Sequence, residues 1–263
     1  MGLQHPEWFT RNRDGKASRC RFSFAVEPAM QYRLAWVREV MAYEPDGVFF
    51  DFTKSMEGSP GVGCTPHFDN EGVWYCTYDQ PALEAFRKKT GRDPRKISNG
   101  DEEWVRFRAS YLTDFLRRAR ELQRATYPKM KLGVFGCPKG RPGLSAQDKV
   151  IPLSDPLRAY LEDHDTWTRA GLLDEFVNAY TSGTAGAIEY KASVLDSRSR
   201  VHSPCRYLGT QVEVYGPRDE KTIAERVEAC GEAGCEELVF FESCPLQWNK
   251  TWDAAYRTIK RFM

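Results

Sequence analysis

A chain of 263 residues with 29% charged side chains and a formal net charge of +1 is long enough for one full core and carries no block of like charge. That balance excludes nucleic acid or an anionic membrane as a main partner. The apolar runs are strand-sized, which excludes a transmembrane helix, and Met1 to Gly15 lacks the apolar stretch of a signal peptide. The chain as given is expected in the cytoplasm, or outside the cell if a leader precedes it.

Residues 1–20 are polar and read as an irregular lead-in, with His5-Pro6-Glu7-Trp8 followed by an Asp14-Gly15 turn. Arg21 to Val26 reads as a strand. From Met30 the period changes, and Met30, Leu34, Val37, Val40 and Met41 fall on one helical face. The chain then passes through Pro45 into Asp46-Gly47-Val48-Phe49-Phe50-Asp51-Phe52-Thr53-Lys54, expected to be a buried parallel strand. Strand, helix and strand in this order make a βαβ unit. Asp51 stands at the C-terminal end of that strand, where α/β folds bind ligands.

Ser55 to Tyr78 is a long loop rich in Gly and Pro, carrying His67, Trp74 and Tyr75; loops of this length are commonly functional. Helices are expected over Pro81–Lys89, ended by Thr90-Gly91, and over Asp101–Tyr127, ended by Pro128. A strand follows at Lys131–Cys137 and a helix opening at Asp155-Pro156 and running to about Ala170. Glu175–Thr181 is a strand with Asn178 and Tyr180 on one face. Ala187–Arg200 is helical. Tyr207–Tyr215 is a strand in which Gln211 and Glu213 share a face. Lys221–Ala233 is a helix stopped by Gly234, Leu238–Ser243 a strand with Glu242 at its end, and Trp252–Phe262 the closing helix.

Strict alternation of six strands with helices favours a (β/α) TIM-type barrel or an open doubly wound sheet, in one domain. No G-x-G-x-x-G or P-loop supports a nucleotide-binding sheet. A closed barrel needs about eight strands in about 250 residues, so a partial barrel is expected. The eight cysteines are scattered, with no C-x-x-C pair, which argues for reduced thiols and against zinc.

Three segment groups carry a family resemblance: His5-Pro6-Glu7-Trp8 with Arg13-Asp14-Gly15; Asp46 to Phe52; and Ala85-Phe86-Arg87-Lys88-Lys89-Thr90-Gly91-Arg92-Asp93-Pro94 with Trp104 to Arg108 and Tyr111-Leu112-Thr113. Over roughly residues 5–120 the chain resembles the glycosyl-hydrolase-like TIM barrels called family-10-like glycosidases. Lys54 stands where the D-F-x-R form of the motif has Arg, losing the bidentate contact Arg would offer. The family's barrel opens with two β/α units that have no counterpart before His5. The resemblance thus implies that the open edges are covered by a second copy or by an upstream segment.

Glycoside hydrolysis takes two carboxyl groups facing across the scissile bond, which a barrel supplies from different strand ends. Asp51, Glu213 and Glu242 end strands. The resemblance implies that Asp51 ends the fourth strand and Glu213 the seventh, the positions of acid/base and nucleophile in the largest glycosidase clan. Glu213 is read as nucleophile or base and Asp51 or Glu242 as proton donor; a buried salt bridge is the alternative for each. Asn178, Tyr180 and Gln211 are candidate hydrogen-bond partners of sugar hydroxyls. Trp74, Tyr75 and Trp248 are candidate platforms for sugar C–H faces, with His67 and Lys54 as further contacts. The expected function is that of a glycosidase on an oligo- or polysaccharide, without cofactor or metal. The alternative is a carbohydrate-binding pseudoenzyme on the same barrel. A metal-dependent sugar isomerase or lyase would need histidines at the strand ends, and these are scarce.

Overall fold

The lead-in is not irregular. In the computed structural model, which describes residues 4–51, 75–137, 155–179, 186–213, 220–241, 256–257 and 260, it folds into an antiparallel hairpin of β1 (Phe9–Arg11) and β2 (Ala17–Phe22). This corrects the expected first parallel strand. An apolar alternation such as Cys20, Phe22, Phe24 satisfies a hairpin as well as a parallel strand, and here the nearby β1 supplies the partner. The first βαβ unit is therefore absent among the described residues.

The helix after the hairpin, α1 (Glu27–Met41), has Pro28 in its first turn and buries Met30, Leu34, Val37 and Met41. It leads to β3 (Gly47–Phe50), within the stretch expected to be a buried parallel strand. That strand is found at one edge of the sheet and is half-buried. Then come α2 (Gln80–Thr90), closed by Gly91 at φ 72°, and α3 (Glu102–Thr126), capped by the Asp101 carboxylate accepting from the Trp104 amide at 3.1 Å. β4 (Lys131–Gly136) is followed by α4 (Pro156–Tyr160) and α5 (His164–Arg169), where a single helix was expected. Leu161 turns into the left-handed region at φ 60°, and Asp163 starts a new helix by accepting from the Thr166 amide. The last elements are β5 (Glu175–Asn178), α6 (Ala187–Ser199), β6 (Arg206–Glu213), α7 (Glu220–Glu232) and β7 (Glu237–Phe241). Of the predicted closing helix, residues 256, 257 and 260 are described and helical.

β3 to β7 pair in parallel in chain order and curl into a half-barrel. The strand period of two gives the sheet two unlike faces. Phe50, Leu132, Val134, Phe176, Val212, Leu238 and Phe240 pack against the apolar sides of α1, α3 and α5 to α7, in one core with Phe115, Leu116, Trp167, Tyr190 and Val194. The opposite, inner face carries Phe49 and Phe135, whose rings lie 5.4 Å apart, with Val177, Gln211 and Val239 beyond. At its lower end Lys131 pairs with Glu175 at 2.6 Å.

The hairpin is fixed to α2 and α3 by a buried polar hub. Arg108, 1% exposed, donates to the carbonyls of Cys76 and Asn99 at 3.1 and 2.8 Å and lies over the rings of Trp104 and Tyr78. Asp79 accepts from the Arg11 amide at 2.9 Å and from the Ser23 hydroxyl at 2.6 Å. Arg13 donates to the carbonyls of Arg95 and Ile97, and Arg92 bridges Asp101 and Glu103.

Candidate active site at the strand ends

A parallel sheet sends all its C-terminal ends to one edge, and that edge collects the acids named from the sequence. Asp51 follows β3 directly and is exposed. The backbone of Glu213 closes β6 and pairs in register with Phe241, the last residue of β7. Glu242 is the next residue in the chain and lies outside the described residues. β6 and β7 are neighbours, so positions 213 and 241 are one strand spacing apart, about 4.8 Å. Asp51 and Glu213 are separated by the two intervening strands β4 and β5.

Gln211 is 3% exposed and sits on the inner face, alternating with Thr210 and Val212. Asn178 takes the other side. Its amide nitrogen donates to Ser193 Oγ at 2.9 Å and to Thr210 Oγ1 at 3.3 Å, and its oxygen accepts from Ser197 Oγ at 2.9 Å. It is fully buried, facing α6 rather than the barrel interior, and its amide is committed to these hydroxyls. The sequence contained the signal: Ser193 and Ser197 lie four apart on α6, so one helical face presents two hydroxyls in an otherwise apolar layer.

Tyr75 is half-buried, and its hydroxyl donates to Asp14 Oδ2 at 2.8 Å, tying the segment before α2 to the hairpin turn. Burial and the neighbouring Asp14 carboxylate push its phenol up to about 12, so it stays protonated. Tyr180, Trp74, Trp248, His67 and Lys54 lie outside the described residues.

One pair at this edge was passed over in the sequence. Glu162 and His164 are 1% and 2% exposed, and Glu162 Oε2 meets His164 Nε2 at 2.9 Å while accepting the Cys137 amide at 2.7 Å. Cys137 is the first residue after β4, so this carboxylate fixes the end of that strand and the ring locks the carboxylate. The His164 ring lies 4.8 Å from Phe176, in an edge contact. The corner at Leu161, invisible to a helical period, is what swings both side chains inward. A depression between α2 and α3, lined by Lys89, Arg106, Phe107 and Ser110, belongs to the hub and contains none of the candidate acids. Among the described residues no cluster of His, Cys, Asp and Glu could hold a metal ion, and no helix is long and apolar enough to cross a membrane.

No family model and no curated protein matches the sequence. Solved structures match the fold. The catalytic domain of β-amylase from Paenibacillus polymyxa aligns with a TM-score of 0.57 at 11% identity, over 93% of this chain and 71% of that one. The β-galactosidase of the psychrophilic Marinomonas ef1 gives 0.52 at 12% identity, over 92% of this chain and 42% of that one. A GH42 β-galactosidase from G. stearothermophilus gives 0.53 at 11% identity, over 92% and 39%. The chain therefore spans less than half the length of either galactosidase it matches. At these identities the fold is what is shared: this chain is a partial (β/α) barrel of the kind glycoside hydrolases use.

Proposed function

We propose that this chain is a glycoside hydrolase acting on an oligo- or polysaccharide, with Glu213 as nucleophile or base and Asp51 or Glu242 as proton donor. The observation that carries the reading is the spacing of acid positions along one sheet edge. Asp51 and Glu213 end strands separated by two others, and residue 242 follows directly on the register partner of Glu213. The first arrangement matches an acid/base and a nucleophile on the fourth and seventh strands of a full barrel. The second would supply the proton donor from the neighbouring strand. In either case one carboxyl protonates the glycosidic oxygen while the other attacks the anomeric carbon or activates water.

Gln211, on the inner face, is the candidate to receive a sugar hydroxyl. Trp248, Trp74, Tyr180, His67 and Lys54 remain candidates for the sugar-facing loops, on sequence alone. Assignment to the family-10-like glycosidases rests on the motifs within residues 5–120, and the fold neighbours are compatible with it without selecting it.

The test is hydrolysis of a panel of aryl glycosides and polysaccharides, β-galactosides and amylose among them, by folded wild type and by Glu213→Gln, Asp51→Asn and Glu242→Gln. A fall of several orders of magnitude in Glu213→Gln and one partner variant supports the pair and identifies the donor. Equal activity in wild type and Glu213→Gln removes Glu213 from the mechanism. Sugar binding by calorimetry without hydrolysis would identify a carbohydrate-binding barrel instead.

A further inference from the structure

Cys230, near the end of α7, and Cys235, in the turn before β7, take no part in the proposed reaction. Gly234, at φ 83°, is the left-handed residue after the helix. The Cys235 amide donates to the Cys230 carbonyl at 3.1 Å and the Gly234 amide to the Gly231 carbonyl at 2.9 Å. These two bonds define a Schellman ending, in which the second residue past the helix folds back over the residue at its third-last position. The side chains brought together in this way are usually both apolar. Here both are free thiols.

The two thiols differ. Cys230 is fully buried, and Cys235 is partly exposed. Arg198 donates to the Ala233 carbonyl at 3.1 Å, and its guanidinium lies against Gly234, which brings a positive charge beside Cys235. The neighbouring Cys230 thiol draws the Cys235 thiol below its ordinary range, with help from the Thr210 backbone and the charge of Arg198. The neighbouring Cys235 and burial push Cys230 up.

We propose that Cys230 and Cys235 form a dithiol site for exchange with low-molecular-weight disulfides, Cys235 attacking and Cys230 resolving. The Cys235 thiolate attacks one sulfur of the small disulfide, forming a mixed disulfide and expelling one thiolate, which takes up a proton. Cys230 then gives up its proton and attacks the Cys235 sulfur, closing the intramolecular bond and releasing the second small thiol. Two protein thiols are oxidised and one small disulfide is reduced to two thiols. The turn lies at the N-terminal end of β7, the opposite end from the candidate acids. The site is thus independent of the sugar chemistry.

The experiment is incubation of the folded full chain with oxidised glutathione, trapping of remaining thiols by alkylation, and peptide mapping. Wild type is expected to yield the Cys230–Cys235 linkage. Cys230→Ser should stop at a mixed disulfide on Cys235, and Cys235→Ser should slow exchange in this turn by roughly tenfold or more, because the resident thiolate is gone. If either variant fails to fold, as judged by near-ultraviolet circular dichroism, the order of alkylation in reduced wild type decides, with Cys235 expected before Cys230. A turn that stays reduced in the folded protein while the denatured chain forms the linkage would overturn the proposal. So would a mixed disulfide, or first alkylation, at Cys230.

Discussion

The hub around Arg108 and the C-terminal edge of the sheet both gather polar and charged residues, but they use them differently. In the hub the charges are spent on the chain itself: Arg13 on two carbonyls, Arg92 on two carboxylates, Arg108 on two further carbonyls, Asp79 on an amide and a hydroxyl. At the sheet edge, Asp51 has contacts of its own but stands exposed just past β3, and Gln211 faces the barrel interior. Most of the segments that carry the family resemblance, from His5 to Gly15 and from Ala85 to Thr113, belong to the hub. They specify how a hairpin and two helices lock together, and that is why they say little about a substrate.

This contrast can be broken experimentally, and Arg108 is the largest lever. Arg108→Ala removes two buried charge-assisted hydrogen bonds and leaves two carbonyls without them, so a loss on the order of 4 kcal/mol is expected in urea unfolding. A loss no larger than that of a surface arginine would show that the hub does not hold the hairpin to α2 and α3.

Asp79 sharpens the picture through pH. Burial pushes its carboxyl up from 3.8 to about 6, against the pull of Ser23 and the Arg11 amide. The folded chain therefore holds this proton to higher pH than the unfolded one. Stability should fall as pH rises from about 4 to about 6, by about 3 kcal/mol from this group. The difference between wild type and Asp79→Asn across that range isolates the effect, and a flat difference would refute it.

Asn178→Ala should cost about 2 kcal/mol, because three buried hydroxyls, two on α6 and one on β6, lose a partner, while KM of any sugar hydrolysis stays unchanged. A raised KM with unchanged stability would return Asn178 to the substrate side. The smallest effect is expected for Arg106→Ala, whose ion pair with Glu102 is exposed on α3; a change within about 0.5 kcal/mol should be seen in the same unfolding assay.

Much of the architecture was legible because helices and strands announce themselves through periods and stops. Gly91 and Gly234 end helices where expected, and the strands at Lys131, Glu175, Tyr207 and Leu238 are found within a few residues of their predicted bounds. Three things were not legible, each for a physical reason. A period of two says which residues share a face but not which face looks inward, so Asn178 was assigned to the barrel interior. A local apolar alternation does not choose its partner, so Arg21 to Phe22 joined a hairpin. And Leu161 breaks its helix without Gly or Pro, its only sequence trace being the cap-forming Asp163 that follows. The acids at positions 51 and 213 were found at strand ends because a run of apolar residues closed by a carboxylate is a pattern that needs no tertiary knowledge.

β4 receives aromatic rings from neighbouring strands on both of its faces. A methyl group at Gly133 would meet the Phe49 ring at 2.4 Å, and one at Gly136 the Phe176 ring at 2.2 Å. Each glycine is thus the empty half of a shape whose other half is a phenyl on the adjacent strand. Divergence at these sites is coupled: a side chain gained at 133 requires a smaller one at 49, and one gained at 136 a smaller one at 176 and a shift of His164, whose Nε2 would lie 2.9 Å away. In a collection of relatives the two pairs of positions should therefore change together, one strand recording the history of its neighbour.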